Sequence, residues 1–302
     1  GVFQFKHFLG RVKMFKKMSL LVATVIGLLF TFGSEDSYKT TVGADSGGQT
    51  VTLATVNWES EIASTNVLAQ VLKEAGFNVQ ITTVDPAIMF SSVAEGQLDA
   101  MVGGWVPTTH QAYAEKYGDS MVDLGANLEG AISALTVPTY MEDINSITDL
   151  TDENDSTITA IEPGAGVTNS AQNAVKEYDN LSDWEVSVSS TGAMIAELDQ
   201  AINNEEDIVV VGWKPHWMFM DYDLKMLDDP ENVFGGYEEI HSYAREGLKE
   251  DNPEAYKIID NFYWEVEDMS SVMEELATDV EPEEAADNWI EANRETVDGW
   301  LE

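Results

Sequence analysis

The chain contains the sequence Val102-Gly103-Gly104-Trp105-Val106-Pro107, and the same pattern returns as Val210-Val211-Gly212-Trp213-Lys214-Pro215. In both places a polar turn leads into a short apolar run, which is typical of a buried strand, and a tryptophan follows at the end of that run. Ligands of open α/β sheets bind beyond the carboxyl ends of strands. The doubled pattern therefore predicts two similar lobes, each of which presents an indole to a shared cleft.

Strand and helix patterns alternate around both motifs. In the first half, strand patterns cover residues 51–56, 77–84 and 100–103, and helix patterns run from a cap at Ser60 or Ser64 to a stop at Gly76, and over 89–94. In the second half, strand patterns cover 157–161, 184–188 and 208–211, and helix patterns cover 168–178 and 193–202. Two β-α-β-α-β units predict the α/β fold class with parallel strands in each lobe.

The length of the chain and these patterns set the expected domain boundaries. At 302 residues the chain exceeds one average domain, because domains of about 100–150 residues are the most common. We expect lobe 1 over residues 50–138, which ends in a crossover strand at 131–138. Lobe 2 with its crossovers is expected over 139–240, and a helical segment that packs on the lobes over 241–302.

Residues 1–34 have the pattern of a signal or membrane-anchor segment. Basic residues between Lys6 and Lys17 precede an uncharged stretch from Met18 to Ser34. Its apolar core of about 14 residues suits a secretory signal and is short for a spanning helix, which needs about 20. Cleavage and retention as an anchor both stay open. We expect a flexible linker over 35–49 and an extracytoplasmic protein, either secreted or tethered to the outer face of the cytoplasmic membrane.

Charge and composition exclude several classes of function. The chain has 15 basic and 55 acidic residues, a formal net charge of −40, and no cysteine. Such a charge repels nucleic acid and anionic membranes, so neither is an expected partner. No two histidines have the spacing of metal ligands. The sequence also lacks the G-x-S-x-G motif of a serine hydrolase and a histidine and aspartate placed to serve it. We therefore expect no enzyme activity, cofactor or metal; an enzyme acting on a quaternary amine and a structural acidic surface protein are the rival classes.

Three tryptophans stand at the ends of predicted strands: Trp58, Trp105 and Trp213. A quaternary ammonium group has no N–H donor, so proteins recognise it with the faces of aromatic rings. Although a single large aromatic residue is more often part of a core, three at equivalent positions predict an aromatic cage for such a cation. The core interpretation is kept for Trp184, Trp264, Trp289 and Trp300, and either role is open for Trp217.

A glycine turn between a strand and a helix is the candidate for binding an anion. It has the sequence Pro163-Gly164-Ala165-Gly166-Val167-Thr168-Asn169, and the free N–H groups of a helix N-terminus favour a carboxylate. The turn lacks the third glycine of a dinucleotide fingerprint and the lysine of a phosphate loop. His110, close after Trp105, could donate to the same carboxylate, or could bond the local backbone.

Four stretches closely resemble the glycine betaine-binding proteins of osmoprotectant ABC importers, within a similarity that runs from about residue 50 to 302. They are Trp58-Glu-Ser-Glu-Ile-Ala-Ser-Thr-Asn66, Gly104-Trp-Val-Pro-Thr-Thr-His110, Val122-Asp-Leu-Gly-Ala-Asn127 and Gly212-Trp-Lys-Pro-His-Trp-Met-Phe219. The resemblance implies a two-lobed fold of the type II periplasmic-binding-protein class, which closes on its ligand.

The same resemblance implies the roles of the site residues. In that family three tryptophans box a trimethylammonium group, and Trp58, Trp105 and Trp213 match them. Backbone amides, here those of Gly166 and Val167, hold the carboxylate with help from His110. We expect a monomer that captures glycine betaine, or a related methylated zwitterion, and delivers it to an ABC permease and ATPase complex. Choline or carnitine is the alternative ligand.

Two features depart from the family pattern. In some members the lobe with Gly-Trp-x-Pro-His-Trp comes first, whereas here it comes second, so we expect circularly permuted lobes relative to those members. Gram-positive members usually carry a lipid-anchoring cysteine after the apolar segment, where this chain has Gly33-Ser34.

Overall fold

The structure is a computed structural model that describes residues 48–302. The predicted signal or anchor segment (1–34) and nearly all of the predicted linker (35–49) lie outside the described residues. None of the described helices combines the length and the hydropathy that a membrane span requires.

The first β-α-β-α-β unit is present as predicted. Its elements are β1 (Thr50–Thr55), α1 (Glu59–Glu74), β2 (Asn78–Thr83), α2 (Pro86–Ala94) and β3 (Ala100–Val106). β1 pairs in parallel with both β2 and β3. A short helix, α3 (Gln111–Tyr117), follows the first Gly-Trp-x-Pro motif.

The predicted cap of α1 is wrong. The helix begins at Glu59 directly after Trp58, and no side chain caps it. Ser60 and Ser64 lie within the helix and are buried. The Ser60 hydroxyl donates instead to the carboxylate of Glu61, so the short polar side chain serves a neighbour rather than the helix end.

The second unit repeats the order of the first. After a single left-handed turn labelled α4 (Glu153–Ser156) come β5 (Thr157–Thr159), α5 (Gly166–Glu177), β6 (Glu185–Ser187), α6 (Thr191–Asn204) and β7 (Val209–Lys214). β5 pairs in parallel with β6 and β7. The short elements α7 (Met218–Asp221) and β8 (Leu224–Met226) follow.

Two antiparallel strands join the units: β4 (Met121–Pro138) and β9 (Tyr237–Arg245). β9 lies between β3 and β4, while β4 pairs with β9 as far as Ile132 and continues beside β7. The sheet order is β2-β1-β3-β9-β4-β7-β5-β6, and β8 pairs with β4. We define the first lobe as residues 48–130 and 237–302, and the second lobe as residues 132–235.

Glycines with left-handed backbones stand at both crossings between the lobes. Gly130 has φ +89° within β4, and Gly235 has φ +81° just before β9. Glycine adopts these angles without a steric penalty. At Gly235 an added Cβ would also collide with the Thr108 side chain, so the backbone passes close to the loop that follows β3.

Both crossing strands differ from the sequence-based expectation. β4 begins at Met121 rather than at residue 131, and residues 132–138 pair with the second lobe although we expected lobe 1 to extend to 138. β9 covers residues 241–245, the start of the segment predicted to be helical. Bulges interrupt the alternation of β4, and the inward positions of β9 include Glu238 and Ser242, so neither strand shows a clean apolar pattern.

The C-terminal helices cover the first lobe. They are α8 (Leu248–Asp251), α9 (Pro253–Asn261), α10 (Val266–Leu276), α11 (Pro282–Ala292) and α12 (Arg294–Leu301). α10 and α11 pack on α1, and α9 packs on β9. Pro253 and Pro282 are the first residues of their helices, where the missing N–H leaves no bond unmade.

The four tryptophans assigned to the core are core residues. Trp264 contacts Trp289 edge to face with ring centroids 5.4 Å apart, and Trp289 stacks on Trp300 at 5.7 Å. Trp184 is buried in the second lobe, where its indole N–H donates to the carbonyl of Thr151 at 3.1 Å. These rings stabilise the lobes and do not face the cleft between them.

Candidate functional site

A small cavity lies between the two lobes; the space between its atoms, counted with the open solvent at its mouth, is about 290 Å³. All six residues that the sequence singled out line this cavity. They are Trp58, Trp105, His110, Gly166, Val167 and Trp213. Five further lining residues were not predicted: Glu61, Thr109, Ser133, Ile161 and Ala165.

The three tryptophans come to the cavity from strand ends, as the doubled motif predicts. Trp105 and Trp213 are the penultimate residues of β3 and β7. Trp58 follows β1 and lies immediately before α1. In both Gly-Trp-x-Pro motifs the bond before the proline is cis. The rings are only 7%, 3% and 5% exposed for Trp58, Trp105 and Trp213. They are therefore shielded from bulk water and present their surface to the cavity; we call these three residues the aromatic cage.

Carboxylates bind the N–H edges of two cage tryptophans. The indole N–H of Trp105 donates to Glu61 Oε1 at 2.6 Å. The indole N–H of Trp58 donates to Glu162 Oε2 at 3.2 Å, and Glu162 is held in turn by the backbone N–H and hydroxyl of Thr191. Because these polar edges are occupied, the ring faces are what the two indoles offer to a ligand.

The start of α5 adds an electropositive part to the cavity wall. The helix begins at Gly166, so the N–H groups of Gly166 and Val167 have no acceptor within it. These free donors and the helix dipole favour a negative charge. A Cβ on Gly166 would collide with the carbonyl of Thr109, so only glycine lets this helix end approach the loop after β3.

His110 adds a further donor at the cavity. Its Nδ1 accepts the backbone N–H of Trp105 at 2.9 Å, so the proton of the neutral ring is on Nε2. Burial lowers the pKa of His110 to about 3, which keeps the imidazole neutral at ordinary pH. Nε2 is buried and has no partner among the described residues. A ligand oxygen beside Nε2 would accept its N–H, which is otherwise buried without a hydrogen bond at a cost in free energy.

Direct contacts join the lobes across the cleft. Besides the bond from Trp58 to Glu162, the Tyr113 hydroxyl donates to the Gly164 carbonyl at 2.7 Å. Glu59 and His216 approach to 3.4 Å. Each contact joins a residue of the first lobe to one of the second. The cavity is thus bounded by both lobes in a closed arrangement.

The remaining candidate aromatic residues do not line the cavity. Trp217, for which both roles were open, packs against His216 and Tyr222 with ring centroids 5.4 and 6.1 Å away. His241 lies on β9, where its ring nitrogens contact Asp123 at 2.8 Å and Glu239 at 2.9 Å.

Among the lining residues that were not predicted from the sequence, Glu61 is the one with an ionisable side chain. It is 1% exposed, and burial raises the pKa of its carboxyl to about 7. Its spacing from Trp58 matches one helical turn, but the contact with Trp105 that brings it to the cavity is made only in the folded chain. Ser133, in contrast, lies within a bulged strand whose pattern gives no indication of a site.

The fold and the site together define a binding protein that closes on a small ligand. Residues 49–292 match the family described as the substrate binding domain of the ABC-type glycine betaine transport system, OpuAC. This match covers most of the chain, so the chain belongs to that family.

A curated relative and a solved structure support this assignment. The glycine betaine/carnitine transport binding protein GbuC of Listeria monocytogenes is 50% identical over 155 residues. That match covers 51% of this chain and 52% of GbuC, so it spans about half the length of the relative. Lactococcal OpuAC, in a closed-liganded conformation complexed with glycine betaine, is 48% identical with a TM-score of 0.83, over 84% of this chain and 100% of the other. The predicted type II periplasmic-binding-protein fold is confirmed; the circular permutation stays a prediction.

A second solved structure has a different ligand. An ABC-transporter choline binding protein in complex with choline is 26% identical, with a TM-score of 0.78, over 83% of this chain and 91% of that chain. The same architecture therefore holds ligands with and without a carboxylate. The choice between them depends on the residues of each cavity.

Proposed function

We propose that this protein binds glycine betaine, or a closely related methylated zwitterion, and delivers it to the permease of an ABC importer. The observation that carries this proposal is that one cavity is lined by two kinds of recognition group. They are the rings of the aromatic cage and the donors without acceptors at the start of α5 and on His110. A trimethylammonium group and a carboxylate joined by one carbon are complementary to these two kinds of group.

Each residue of the site has a distinct role in this proposal. Trp58, Trp105 and Trp213 hold the cation through their faces, with about 0.5–2 kcal/mol for each well-placed ring. The backbone N–H groups of Gly166 and Val167 and the Nε2–H of His110 donate to the carboxylate. Hydrogen bonds to charged groups contribute about 1.5–3 kcal/mol each.

Closure couples binding to transport in this proposal. The first lobe supplies Trp58, Trp105 and His110, and the second supplies Trp213 and the start of α5. A ligand that contacts both sets binds the closed state better than the open one, and only such a difference shifts the equilibrium. The left-handed glycines at the two crossings, Gly130 and Gly235, are where we expect the backbone to bend.

The proposal includes the setting of the protein. Substrate-binding proteins of ABC importers act outside the cytoplasmic membrane, and family members bind their ligands rather than convert them. We propose that this chain does the same as a monomer without cofactor, either secreted or tethered at the outer face of the cytoplasmic membrane. Turnover assays with glycine betaine and choline test the enzyme alternative, for which we expect no product.

Titration of glycine betaine and of choline into the protein, followed by tryptophan fluorescence, tests the ligand. We expect saturable binding of glycine betaine and binding of choline at least 10-fold weaker, because choline leaves the donors of α5 and His110 unpaired. Equal or tighter binding of choline would contradict the proposal for a carboxylate ligand. Absence of a response to both, in folded protein, would contradict the proposed function itself.

The substitution His110→Ala distinguishes recognition of the carboxylate from recognition of the cationic group. The substitution removes one carboxylate donor, so we expect glycine betaine to bind about 10–100-fold more weakly, corresponding to a charge-assisted hydrogen bond. Residual binding of choline should match that of the wild type, because choline makes no use of this donor. A parallel loss of both ligands would show that His110 supports the cavity rather than the carboxylate.

A further inference from the structure

Glu61 occupies a place in the cavity wall that is built around its side chain. Its Oε1 accepts the indole N–H of Trp105 at 2.6 Å, and its other oxygen accepts the Ser60 hydroxyl. On the facing strand, a Cβ on Gly103 would lie 2.7 Å from Glu61 Cγ, so a glycine makes room for the carboxyl stem. The side chain is 1% exposed and lines the same cavity as the aromatic cage.

Glu61 has no positively charged partner among residues 48–302. The ion pairs of this region involve other carboxylates. The titratable groups around it are Glu59 on the same helix, His110 in the wall of the same cavity, and His216 of the second lobe, which contacts Glu59. A buried carboxylate is costly unless a cation compensates it. The protein supplies no such cation here.

We propose that Glu61 is the counter-charge for the cationic group of the ligand and the residue that orients Trp105. Its hydrogen bond fixes the indole edge, and its negative charge beside the aromatic cage favours a true cation over an uncharged group of the same shape. This inference rests on the proposed function, since it deepens the cation end of the same site.

The proposal predicts that binding is linked to a proton. Burial raises the pKa of Glu61 to about 7, so the carboxyl is partly protonated near neutral pH. A bound cation favours the ionised form and lowers this pKa. Binding near pH 7 should therefore release protons, and affinity should rise as pH increases through this value. Between pH 6 and pH 8 the ionised fraction changes about tenfold, which sets the expected change in affinity.

The experiment compares wild type, Glu61→Gln and Glu74→Gln. Glutamine keeps an oxygen acceptor for Trp105 but removes the charge. Glu74 is at the other end of α1, about 20 Å from Glu61 along the helix axis, and its exposed side chain contacts Arg294. Glu74→Gln is thus a control for the loss of one acidic charge. Calorimetric titrations at pH 6, 7 and 8 use glycine betaine and its carbon isostere 3,3-dimethylbutanoate, which keeps the carboxylate and has a neutral tert-butyl group in place of the trimethylammonium group.

We expect wild type and E74Q to bind glycine betaine about tenfold more tightly at pH 8 than at pH 6. E61Q should show a change of less than twofold over this range and bind glycine betaine at least 10-fold more weakly than wild type at pH 8. E61Q should bind 3,3-dimethylbutanoate at least as tightly as wild type does. Because E61Q retains Glu59, His110 and His216, the difference between its pH profile and that of wild type isolates Glu61.

Three results would overturn the inference. Equal affinity of wild type and E61Q for glycine betaine at pH 8 would remove the counter-charge role alone. Equal losses for both ligands in E61Q would assign Glu61 a purely structural role. Failure of wild type to bind glycine betaine at any pH would overturn the proposed function as well. Proton release by wild type at pH 7, measured in two buffers of different ionisation enthalpy, needs no variant; its absence would also reject the linkage.

Discussion

Trp213 is the ring that the second lobe contributes to the aromatic cage, whereas Trp58 and Trp105 come from the first lobe. Its removal should therefore weaken both the contact with the cation and the coupling of that contact to closure. We expect Trp213→Leu to weaken glycine betaine binding about 10–30-fold, equivalent to one desolvated ring contact of about 2 kcal/mol. Titration calorimetry measures the change.

Trp217→Leu is the matched control for this substitution. Trp217 is on the loop that follows the same Gly-Trp-x-Pro motif but does not line the cavity. We expect its affinity for glycine betaine to remain within about twofold of wild type. Equal losses in both variants would indicate that the loop as a whole, and not the Trp213 ring, supports binding.

Burial of Glu61 should reduce the stability of the unliganded protein at neutral and alkaline pH. Its carboxyl ionises near pH 4.5 when unfolded and near pH 7 when folded, so the folded state binds more protons between these values. Stability must then fall as pH rises through this window. We expect Glu61→Gln to raise Tm by a few degrees at pH 8 and little at pH 4, because about 1 kcal/mol shifts Tm by roughly 2–4 °C in a chain of this size.

Thermal unfolding of the two proteins across this pH range, without ligand, measures the effect. A difference in Tm that is constant from pH 4 to pH 8 would show that ionisation of Glu61 is not its cause. Stabilisation by removal of a binding-site charge is a common trade between stability and function.

The sequence allowed prediction of the residues whose chemistry is visible locally. A few consecutive residues are enough to recognise a tryptophan that follows an apolar run, or a glycine turn that precedes a helix. Glu61 could not be assigned in this way, because its importance arises from contacts with Trp105 and Gly103 of a different element. Its burial and its lack of a cationic partner are properties of the folded chain alone.

At the scale of elements, the start of α5 is a point where the second lobe approaches the first closely. A Cβ at position 166 would collide with the Thr109 carbonyl. We expect Gly166→Ala to weaken glycine betaine binding at least 10-fold, because α5 must retreat and its N–H groups lose the position from which they donate. Calorimetric titration measures this loss.

Gly192→Ala is the control for this prediction. Gly192 lies in the first turn of α6, and an added Cβ there would meet no atom within 4 Å. The substitution should leave affinity unchanged and raise stability slightly, since alanine is favoured over glycine in helices by up to about 1 kcal/mol. Unchanged binding in Gly166→Ala would contradict the close approach as a requirement for the site.

Strands whose buried positions are uniformly apolar could be predicted from the sequence. Strands that place polar side chains at buried positions could not. The strands β3 and β7 are buried on both faces over nearly their whole length and have the sequence of short apolar runs. β9 places Glu238 among its inward residues, where the carboxylate accepts the backbone N–H groups of Thr108 and Thr109 at 2.7 Å. A strand that uses an inward position to hold a loop loses the alternation by which strands are recognised.

For the whole molecule, the net charge of −40 predicts a strong dependence of stability on salt. Basic residues are few, and some ion pairs of the described residues are exposed at the surface, as for Lys73 with Glu283 and Arg294 with Asp298. Repulsion among the acidic residues opposes the compact state and is screened by salt. We expect Tm to rise steadily between 10 mM and 1 M sodium chloride.

Thermal melts over this range of salt concentration, repeated with an uncharged osmolyte at matched osmolality, test the prediction. Because uncharged osmolytes also stabilise folded proteins by exclusion from their surface, a rise in Tm with salt that clearly exceeds the rise with the osmolyte identifies screening as the cause. A Tm that is independent of salt would show that the acidic surface does not destabilise the folded chain.

The two lobes differ in how the chain supplies them. The second lobe is one continuous segment, whereas the first consists of residues before Gly130 and residues after Gly236, with α10 and α11 packed on α1. A chain synthesised from its N-terminus can therefore complete the second lobe while the apolar face of α1 still lacks its cover. During biosynthesis this face remains exposed until residues 266–292 have emerged, so we expect the nascent protein to need protection from aggregation up to that point. The first lobe, whose synthesis begins before that of the second, is therefore completed after it.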